Sequence, residues 1–486
     1  MLYHSSRNDA LTASSAEAIL RGLAQDGGLY VPDRIPAVDW EAMAGTDYDA
    51  MAAKVMAALL PDFPEPELLK MAEKAYAGKF SAAALTPTVK VGGDMFLELF
   101  HGPTSAFKDL ALCVLPYLMR AAAEKTGQQE DILILTATSG DTGKAALEGF
   151  RDVPGIRIMV FYPEKGVSEV QRAQMVTQRG SNVRVCAVSG NFDDAQSGVK
   201  AIFECVQDKP RLSSANSINI GRLVPQVVYY FKAYFDAVEA GVVARGDKLD
   251  FCVPTGNFGN ILAGYIAGEM GLPVGRLICA SNRNNILTDF MQTGVYDCRR
   301  EFFRTESPSM DILISSNLER LLRFMSGSAD TVTELMERLR QERCYRVGSE
   351  LMSKIQERFW AGCCDDDRAR AAIGKLWKEE HYLCDTHTAV AWDVAQQYKA
   401  VYPEHNPMVV LSTASPYKFP AAVLAALGED ASGDEFERMD KLEMLTAVPM
   451  PKNLRGLRER QVRHQDCVCP DCMRQYVLDK AEEETW

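Results

Sequence analysis

Short runs of consecutive apolar residues alternate with segments of helical periodicity between about residues 87 and 428. Six of these runs predict buried strands, and they begin at residues 131, 156, 182, 249, 276 and 407. Continuous apolar strands are typical of parallel sheets that helices cover on both faces. The pattern therefore predicts an α/β fold with parallel or mixed sheets flanked by helices, in which ligands collect at the carboxyl ends of the strands.

Other parts of the chain have different patterns. Residues 2–85 are rich in alanine with helical spacing, apart from a turn and an extended segment at residues 24–36, and residues 311–378 also have helical periodicity. A Gly92–Gly93 turn separates two short predicted strands. We therefore predict a small N-terminal domain at residues 1–85, two larger regions at 86–220 and 221–428, and a charged C-terminal extension at 429–486.

Composition and charge exclude several classes of protein. The 486 residues are 47% hydrophobic and 24% charged, which is ordinary for a globular protein, and the net charge of −13 argues against binding to nucleic acid. We expect no membrane segment and a cytoplasmic location, since the N-terminus has no basic and apolar leader and no apolar run is long enough to span a bilayer. The 13 cysteines are expected to be free thiols.

The stretch HGPTSAFKDLAL, residues 101–112, places Lys108 at the start of a predicted helix among apolar neighbours. The helix dipole and the loss of water both favour the neutral amine over the ammonium. A neutral lysine can bond to an aldehyde cofactor, and pyridoxal phosphate is the obvious candidate. Taken alone, the stretch is also compatible with a lysine on an ordinary first helical turn.

Three predicted strands end in unusual loops. TSGDTGKAA, residues 138–146, has small residues and a following helix that suit an anionic group, and its spacing does not fit a P-loop. PTGNFGN, residues 254–260, can hold a phosphate on its backbone amides. LSTASPYKFP, residues 411–420, ends a strand at Thr413, whose hydroxyl would leave a pyridine nitrogen largely unprotonated.

A fourth stretch, NSINIGR at residues 216–222, combines amide, hydroxyl and guanidinium groups that can bind phosphate. Each of the four stretches has an ordinary alternative as a strand-to-helix turn, a helix cap or a polar loop. Two anion-binding loops at strand ends of one sheet system are much less expected by chance.

Together these stretches, with GLAQDGGLYVP near the N-terminus, closely resemble the threonine synthases of the longer form. These belong to the fold type II pyridoxal phosphate enzymes, the tryptophan synthase β family. The resemblance covers most of the chain and implies pyridoxal phosphate as the cofactor, two catalytic domains and an N-terminal domain. It implies that residues 86–220 carry the cofactor lysine and bind the substrate carboxylate, and that residues 221–428 bind the cofactor phosphate.

The resemblance also implies a role for individual residues. Lys108 would bond to the cofactor and later move protons. The cofactor phosphate would be held by Gly256, Asn257, Phe258, Gly259 and Asn260, with Thr413 facing the pyridine nitrogen. The substrate carboxylate would be held by Thr138, Ser139, Thr142 and Gly143, with Asp141 nearby, and the substrate phosphate by Asn216, Ser217 and Arg222.

The implied reaction converts O-phospho-L-homoserine and water to L-threonine and phosphate, in a monomer or a homodimer. The alternatives are another lyase of the same cofactor class that releases a keto acid, and a catalytically silent binding protein on the same fold. Lys144 departs from the family, and either adds to phosphate binding or lies on a solvated helix. Ser415 and Tyr417 also depart from the family pattern, so the resemblance does not define the rim of the pocket.

Two further groups invite a functional interpretation. His464, Cys467, Cys469 and Cys472 lie close together in HQDCVCPDC, but the Cys-x-Cys spacing is unusual for zinc, so we predict reduced surface thiols and no metal site. His387 could act as an acid or a base. We instead predict that Asp385 caps a helix and that His387 lies at its start.

Overall fold

A computed structural model of the protein describes residues 1–138, 140–205 and 211–483. Its strands lie at Tyr3–Ser5 (β1), Asn8–Ala13 (β2), Tyr30–Pro32 (β3), Thr88–Val91 (β4), Asp94–Glu98 (β5), Ile132–Ala137 (β6), Ile156–Pro163 (β7), Val183–Val188 (β8), Arg211–Ser213 (β9), Leu249–Pro254 (β10), Val274–Ser281 (β11), Val295–Asp297 (β12), Cys344–Arg346 (β13), Phe359–Cys363 (β14), Met408–Ser412 (β15) and Asp466–Val468 (β16).

The helices connect and cover these strands. They lie at Ser15–Arg21 (α1), Tyr48–Leu59 (α2), Glu65–Tyr76 (α3), Lys108–Leu112 (α4), Leu115–Thr126 (α5), Asp141–Phe150 (α6), Glu169–Val176 (α7), Phe192–Cys205 (α8), Ile220–Glu239 (α9), Gly259–Glu269 (α10), Ile286–Thr293 (α11), Leu318–Ser326 (α12), Ala329–Glu342 (α13), Ser349–Arg358 (α14), Asp366–Glu380 (α15), Thr386–Val401 (α16), Pro420–Ala426 (α17), Glu435–Thr446 (α18) and Met473–Ala481 (α19).

Two large sheets form the centre of the molecule, as the apolar runs predict. The larger sheet has the order β14-β11-β10-β15-β5-β4 and is parallel except for β4, which pairs antiparallel with β5 across the Gly92–Gly93 turn. The smaller sheet, β16-β8-β7-β6-β9, is parallel throughout. All six predicted apolar runs form strands, namely β6, β7, β8, β10, β11 and β15.

Burial on both faces explains the continuous apolar runs. All six residues of β10 are buried, and alternate residues of this strand belong to different hydrophobic cores. Phe251 and Val253 pack in the core that contains α9 and α10, whereas Cys252 packs in the core that contains α16. Since neither face meets water, polar alternation would be costly on either side of the strand.

The sheets cross the segment boundaries that the sequence predicts. Strands β4 and β5, from residues 86–220, lie in the larger sheet with strands from residues 221–428. Strand β16, from residues 429–486, pairs with β8 in the smaller sheet. Because a parallel sheet can accept a strand from any part of the chain through a crossover connection, segments in sequence do not define sheets in space.

Two regions of predicted helical periodicity also contain strands. Strands β1, β2 and β3 form an antiparallel sheet within the first 32 residues. In the region 311–378, the short run FWAGC forms β14 at the edge of the larger sheet, and β13 pairs with β12. These strands are three to six residues long, too short for periodicity to distinguish them from helix.

The prediction of reduced thiols in the C-terminal extension is wrong for one pair, since Cys469 and Cys472 form a disulfide. Pro470 begins a 3₁₀ turn that brings the two Cα atoms to 5.1 Å, a separation that a disulfide can span. No cluster of three or more metal-ligating side chains occurs within the described residues. Among all the residues that the structure describes, no helix is long and apolar enough to cross a bilayer.

Close contact between α4 and α6 gives a prediction about stability. A Cβ atom added at Gly149 in α6 would lie 2.0 Å from the carbonyl oxygen of Leu112 at the end of α4. We expect Gly149→Ala to lower the free energy of unfolding by about 1–3 kcal/mol, because the helices must separate to admit a methyl group. Urea denaturation measures this, with Gly93→Ala as the control, since its Cβ would meet no atom within 4 Å. Equal midpoints for the two variants would contradict the packing described here.

Candidate active site

Backbone hydrogen bonds place Lys108 beside the end of β15. Helix α4 begins at Lys108, as the sequence predicts, and the peptide N–H of Phe107 donates to the carbonyl oxygen of Thr413 at 2.9 Å. The next contact in this ladder runs from the N–H of Ser415 to the carbonyl oxygen of Ser105 at 3.1 Å. Ser105 has a positive φ of 60°, which turns the chain from this ladder into α4.

The surroundings of Lys108 favour its neutral form. Its side chain is 11% exposed, and burial lowers the pKa of the amine to about 8. The positive charges of Lys418 and Arg222 act in the same direction, whereas Asp141 and Asp109 oppose them. Lys108 is therefore a usable nucleophile and base near neutral pH, in the direction that the sequence predicts.

The loop at residues 138–143 connects β6 to α6 at the same place. The hydroxyl oxygen of Thr138 accepts hydrogen bonds from the N–H groups of Gly140 and Gly143, at 3.0 and 2.9 Å. Helix α6 begins at Asp141, whose Oδ2 lies 3.8 Å from Nζ of Lys108. Thr142 follows in the first turn of α6, and Ser139 lies outside the described residues.

The loop at residues 254–260 connects β10 to α10 and has an unusual backbone. Phe258 has a φ of 61°, which is rare for an aromatic residue and is found mainly at functional sites. A Cβ atom at Gly256 would lie 2.5 Å from the carbonyl oxygen of Ser309, so only glycine fits there. Gly259 begins α10, whose amino end is suited to an anion.

Two side chains from a distant segment hold the carbonyl groups of this loop. The hydroxyl of Ser315 donates to the carbonyl oxygen of Gly256 at 2.6 Å. The backbone N–H and the side-chain amide of Asn317 both donate to the carbonyl oxygen of Asn257, at 3.1 and 3.0 Å. With these carbonyl groups engaged, the peptide groups of the loop have a fixed orientation, as a preformed phosphate cradle requires.

Asn317 also contacts the NSINIGR stretch, because its amide donates to the carbonyl oxygen of Ser217 at 3.1 Å. Asn216 is next to that residue, and Asn219 caps the amino end of α9. Residues 216–219 therefore lie beside the loop at residues 254–260, although they are about 40 positions apart in the chain.

Arg222 is buried in the first turn of α9. This helix packs against α4, the helix that begins at Lys108, and α4 in turn packs against α6. The Nη1 atom of Arg222 donates to the carbonyl oxygen of Ala215 at 2.6 Å, while its Nε atom is buried and has no hydrogen-bond partner among the described residues. Burial lowers the pKa of the guanidinium to about 10, so it remains charged at neutral pH. A buried cation with an unused donor is suited to an anionic ligand.

Asn260 lies at the first turn of α10 and is also buried. Its side-chain oxygen accepts hydrogen bonds from the hydroxyls of Tyr229 and Tyr230, at 2.6 and 3.1 Å. Its Nδ2 atom is buried, and no described residue forms a hydrogen bond with it. The two tyrosines thus fix the orientation of an amide that retains a free donor next to the loop.

Sequence reasoning missed several residues that the structure brings to the site. Lys418 lies in the LSTASPYKFP stretch, and its buried ammonium lies 2.5 Å from Oδ1 of Asp141. Gln171 in α7 donates to the same oxygen at 2.7 Å. Lys418 could have been found as the one charged residue in that stretch of sequence, but no local signal marks Gln171, Ser315 or Asn317.

Two of the departures from the family pattern, Lys144 and Tyr417, have partners in the structure. Lys144 does not lie on a solvated face, since it is buried and its Nζ lies 3.2 Å from Oε2 of Glu148. Helix α6, which contains Lys144, packs against β7, α4 and α7, so this position does not face the solvent. The Tyr417 hydroxyl donates to the carbonyl oxygen of Val448, in the C-terminal extension.

The prediction for residues 385–387 is confirmed. The carboxylate of Asp385 caps α16 by accepting hydrogen bonds from the N–H groups of His387 and Thr388. The His387 ring is buried between Oδ2 of Asp385, at 2.6 Å, and the backbone N–H of Ser309, at 3.1 Å. His387 therefore supports the segment that contacts Gly256 and has a structural partner on each ring nitrogen.

The donor set suits a phosphorylated aldehyde. A buried amine of lowered pKa, Lys108, can bond to the aldehyde carbon. The loop at residues 254–260 can hold the phosphate through its amides and the amino end of α10. Thr413, at the end of β15, is placed beside Lys108 by the ladder described above. The arrangement thus fits pyridoxal phosphate by chemistry and by position.

Comparison with known proteins agrees with this arrangement. Residues 87–414 match the family model described as pyridoxal-phosphate dependent enzyme. Residues 2–76 match the threonine synthase N terminus, and residues 388–475 match the threonine synthase C-terminal region. The protein is therefore a pyridoxal-phosphate-dependent enzyme of fold type II, and pyridoxal phosphate is its cofactor.

Individual relatives narrow the family. The chain is 39% identical over 459 residues to threonine synthase from Pseudomonas aeruginosa, a match that covers 92% of this chain and 96% of that protein. The crystal structure of threonine synthase with bound pyridoxal phosphate from Brucella melitensis is 37% identical and has a TM-score of 0.88, covering 99% and 100% of the two chains. This chain belongs to the threonine synthase family.

A second group of relatives has a longer chain. Human threonine synthase-like 1 is 41% identical over 434 residues, which cover 85% of this chain. The chain spans only 58% of the length of that relative. The relatives thus include threonine synthases of similar length to this chain and longer proteins called threonine synthase-like 1.

The two contacts of Asn317 generate a prediction about cofactor binding. Replacement by alanine removes the side-chain donor to the carbonyl oxygen of Ser217 and one of the two donors to the carbonyl oxygen of Asn257, whose bond to the backbone N–H of residue 317 remains. We expect Asn317→Ala to weaken pyridoxal phosphate binding by about tenfold, since the carbonyl group of Ser217 loses its donor, at a cost on the order of 1–3 kcal/mol.

Spectroscopic titration of the cofactor-free protein measures this affinity. The neighbouring Ser316→Ala is the matched control, because its buried hydroxyl has no partner to lose in the part of the chain that the structure describes. Wild-type affinity in Asn317→Ala would show that these contacts do not shape the phosphate loop.

Proposed function

We propose that this protein is a threonine synthase, which converts O-phospho-L-homoserine and water to L-threonine and phosphate. The observation that carries the proposal is that a buried amine, Lys108, and a buried guanidinium, Arg222, lie close enough for the charge of Arg222 to lower the pKa of Lys108. The first group suits the cofactor, and the second provides a separate positive charge for a phosphorylated substrate.

The proposed division of labour follows from the chemistry of each group. When bound, pyridoxal phosphate withdraws electrons from the substrate and so stabilises negative charge at Cα. Lys108 is the amine that bonds to the aldehyde and, once released by the amine of the substrate, accepts and returns the proton at Cα. Both tasks need the free amine, because only this form has a lone pair. A pKa of about 8 for Lys108 makes that form accessible near neutral pH.

The two ends of the substrate would be held by different loops. The loop at residues 138–143 would bind the carboxylate through its backbone amides and hydroxyls, including Thr138, Thr142 and Gly143. Asn216, Ser217 and Arg222 would bind the phosphate. The unpartnered Nε of Arg222 supports this role, since a phosphate oxygen would satisfy it. A second deprotonation, at Cβ, would then let phosphate leave from Cγ, after which Cγ gains a proton and water adds at Cβ.

A second candidate is a lyase that eliminates phosphate from the same substrate, or ammonia from threonine, and releases a keto acid. The comparable identity to threonine synthase and to threonine synthase-like 1, 39% and 41%, favours keeping this candidate. Both enzymes need the same cofactor and the same proton transfer at Cα. They differ in whether water adds at Cβ before the product leaves.

Product identification tests the proposed reaction. With O-phospho-L-homoserine, we expect L-threonine and phosphate in equal amounts, measured by chromatography and a phosphate assay. Lys108→Ala should reduce turnover by at least about 1,000-fold, because it removes both the cofactor bond and the base. Lys125→Ala, on the surface of α5, should retain activity. A keto acid as the main product would favour the second candidate instead.

Arg222 tests the specificity for phosphate. We expect Arg222→Ala to lower kcat/KM for O-phospho-L-homoserine by about 100-fold, since a buried charge-assisted contact to the substrate is lost. The visible absorbance of the bound cofactor should remain, which shows that the cofactor pocket is intact. Unchanged kcat/KM in this variant would remove Arg222 from the phosphate site.

A further inference from the structure

Lys418 is a buried lysine that the proposed reaction does not use. It lies at the end of the 3₁₀ turn Pro416–Lys418, just after Thr413, and its side chain has no solvent exposure. Its Nζ lies 2.5 Å from Oδ1 of Asp141 and 3.2 Å from the carbonyl oxygen of Thr104. Burial of an ammonium is costly and persists only with such partners, so its position is tightly specified.

The carboxylate of Asp141 lies between the side chains of two lysines, Lys418 and Lys108. Its Oδ1 accepts from Lys418 and, at 2.7 Å, from Nε2 of Gln171. Its Oδ2 lies 3.8 Å from Nζ of Lys108. Because the carboxylate is only 3% exposed, water screens these interactions little.

A carboxylate this close to Lys108 creates a chemical difficulty. A negative charge within about 4–6 Å stabilises an ammonium and so opposes the neutral amine. A protonated Lys108 could neither attack an aldehyde nor accept a proton. The other charged groups that face Lys108 are Arg222, which favours the neutral form, and Asp109, which opposes it.

We propose that Lys418 is a positioning residue that neutralises Asp141, so that this carboxylate orients Lys108 without holding it in the protonated form. The proposal rests on the proposed role of Lys108 as the amine of the reaction. Lys418 never touches the reacting atoms and acts only through Asp141. The same contact joins the loop after β15, in the larger sheet, to the start of α6, which follows β6 in the smaller sheet.

The test measures the protonation of Lys108 directly in the cofactor-free, full-length protein. Acetic anhydride reacts only with neutral amines, so labelling of the Lys108 peptide across a pH series, quantified by mass spectrometry, gives the midpoint of its titration. We expect Lys418→Met to move this midpoint upward by about one pH unit or more, because Asp141 is then free to stabilise the ammonium. Lys418→Arg, which keeps the charge, should restore most of the wild-type midpoint.

Two further variants separate charge from structure. Asp141→Asn should move the midpoint downward, since the attracting carboxylate is lost while Lys418 remains. The double variant Lys418→Met with Asp141→Asn should return the midpoint close to the wild-type value. The control Lys144→Met removes another buried lysine, which pairs with Glu148 and does not face Lys108. It should leave the midpoint unchanged even if stability falls.

An unchanged midpoint in Lys418→Met, or a double variant that behaves like the single one, would overturn the proposal. If Lys418→Met does not fold, an unchanged midpoint in Asp141→Asn has the same consequence. These measurements need no substrate. A failure of the threonine synthase assay is therefore distinguishable from a failure of the role assigned to Lys418.

Discussion

The structure depends on keeping one amine neutral in a buried position. Burial alone favours the neutral form of Lys108, but the site also needs groups that bind anions, and such groups alter the charge balance around the amine. The protein meets both needs by surrounding Lys108 with charges of both signs. The negative charges are those of Asp141 and Asp109, and the positive charges are those of Lys418 and Arg222.

These charges come from separate parts of the chain, and the two parallel sheets bring them together. Asp141 follows β6 in the smaller sheet, whereas Lys418 follows β15 in the larger one. In a parallel sheet the carboxyl ends of all strands lie at the same edge, so loops distant in sequence meet there. Short α4, packed between α6 and α9, places Lys108 where the two edges face each other.

Sequence reasoning found the parts of the site that carry local signals. The apolar runs predicted β6, β10 and β15, and the small residues after them marked the anion-binding loops. The Asp385 cap was also predictable, because a helix cap depends only on neighbouring residues. Lys108 was predictable for the same reason, since its apolar neighbours and helix start are adjacent in the chain.

The parts that sequence reasoning missed depend on contacts between distant segments. Nothing near Asn317 indicates that its amide holds the carbonyl groups of Asn257 and Ser217, 60 and 100 positions away. The pairing of Lys418 with Asp141 likewise joins distant segments, since these residues follow strands of two different sheets. The disulfide between Cys469 and Cys472 is a different case, since the spacing was visible but composition favoured free thiols.

The contacts of Arg320 extend the same logic to the N-terminal domain. This fully buried guanidinium donates to the side-chain oxygen of Asn317 and to the carbonyl oxygens of Tyr30, at 2.9 Å, and Ile218, at 2.6 Å. One side chain therefore joins β3, the NSINIGR stretch and the residue that holds the loop at residues 254–260. Because three backbone segments share one rigid planar group, a shift in any of them leaves a buried donor unpaired. The N-terminal domain is thus part of the framework that orients both stretches that we propose to bind phosphate.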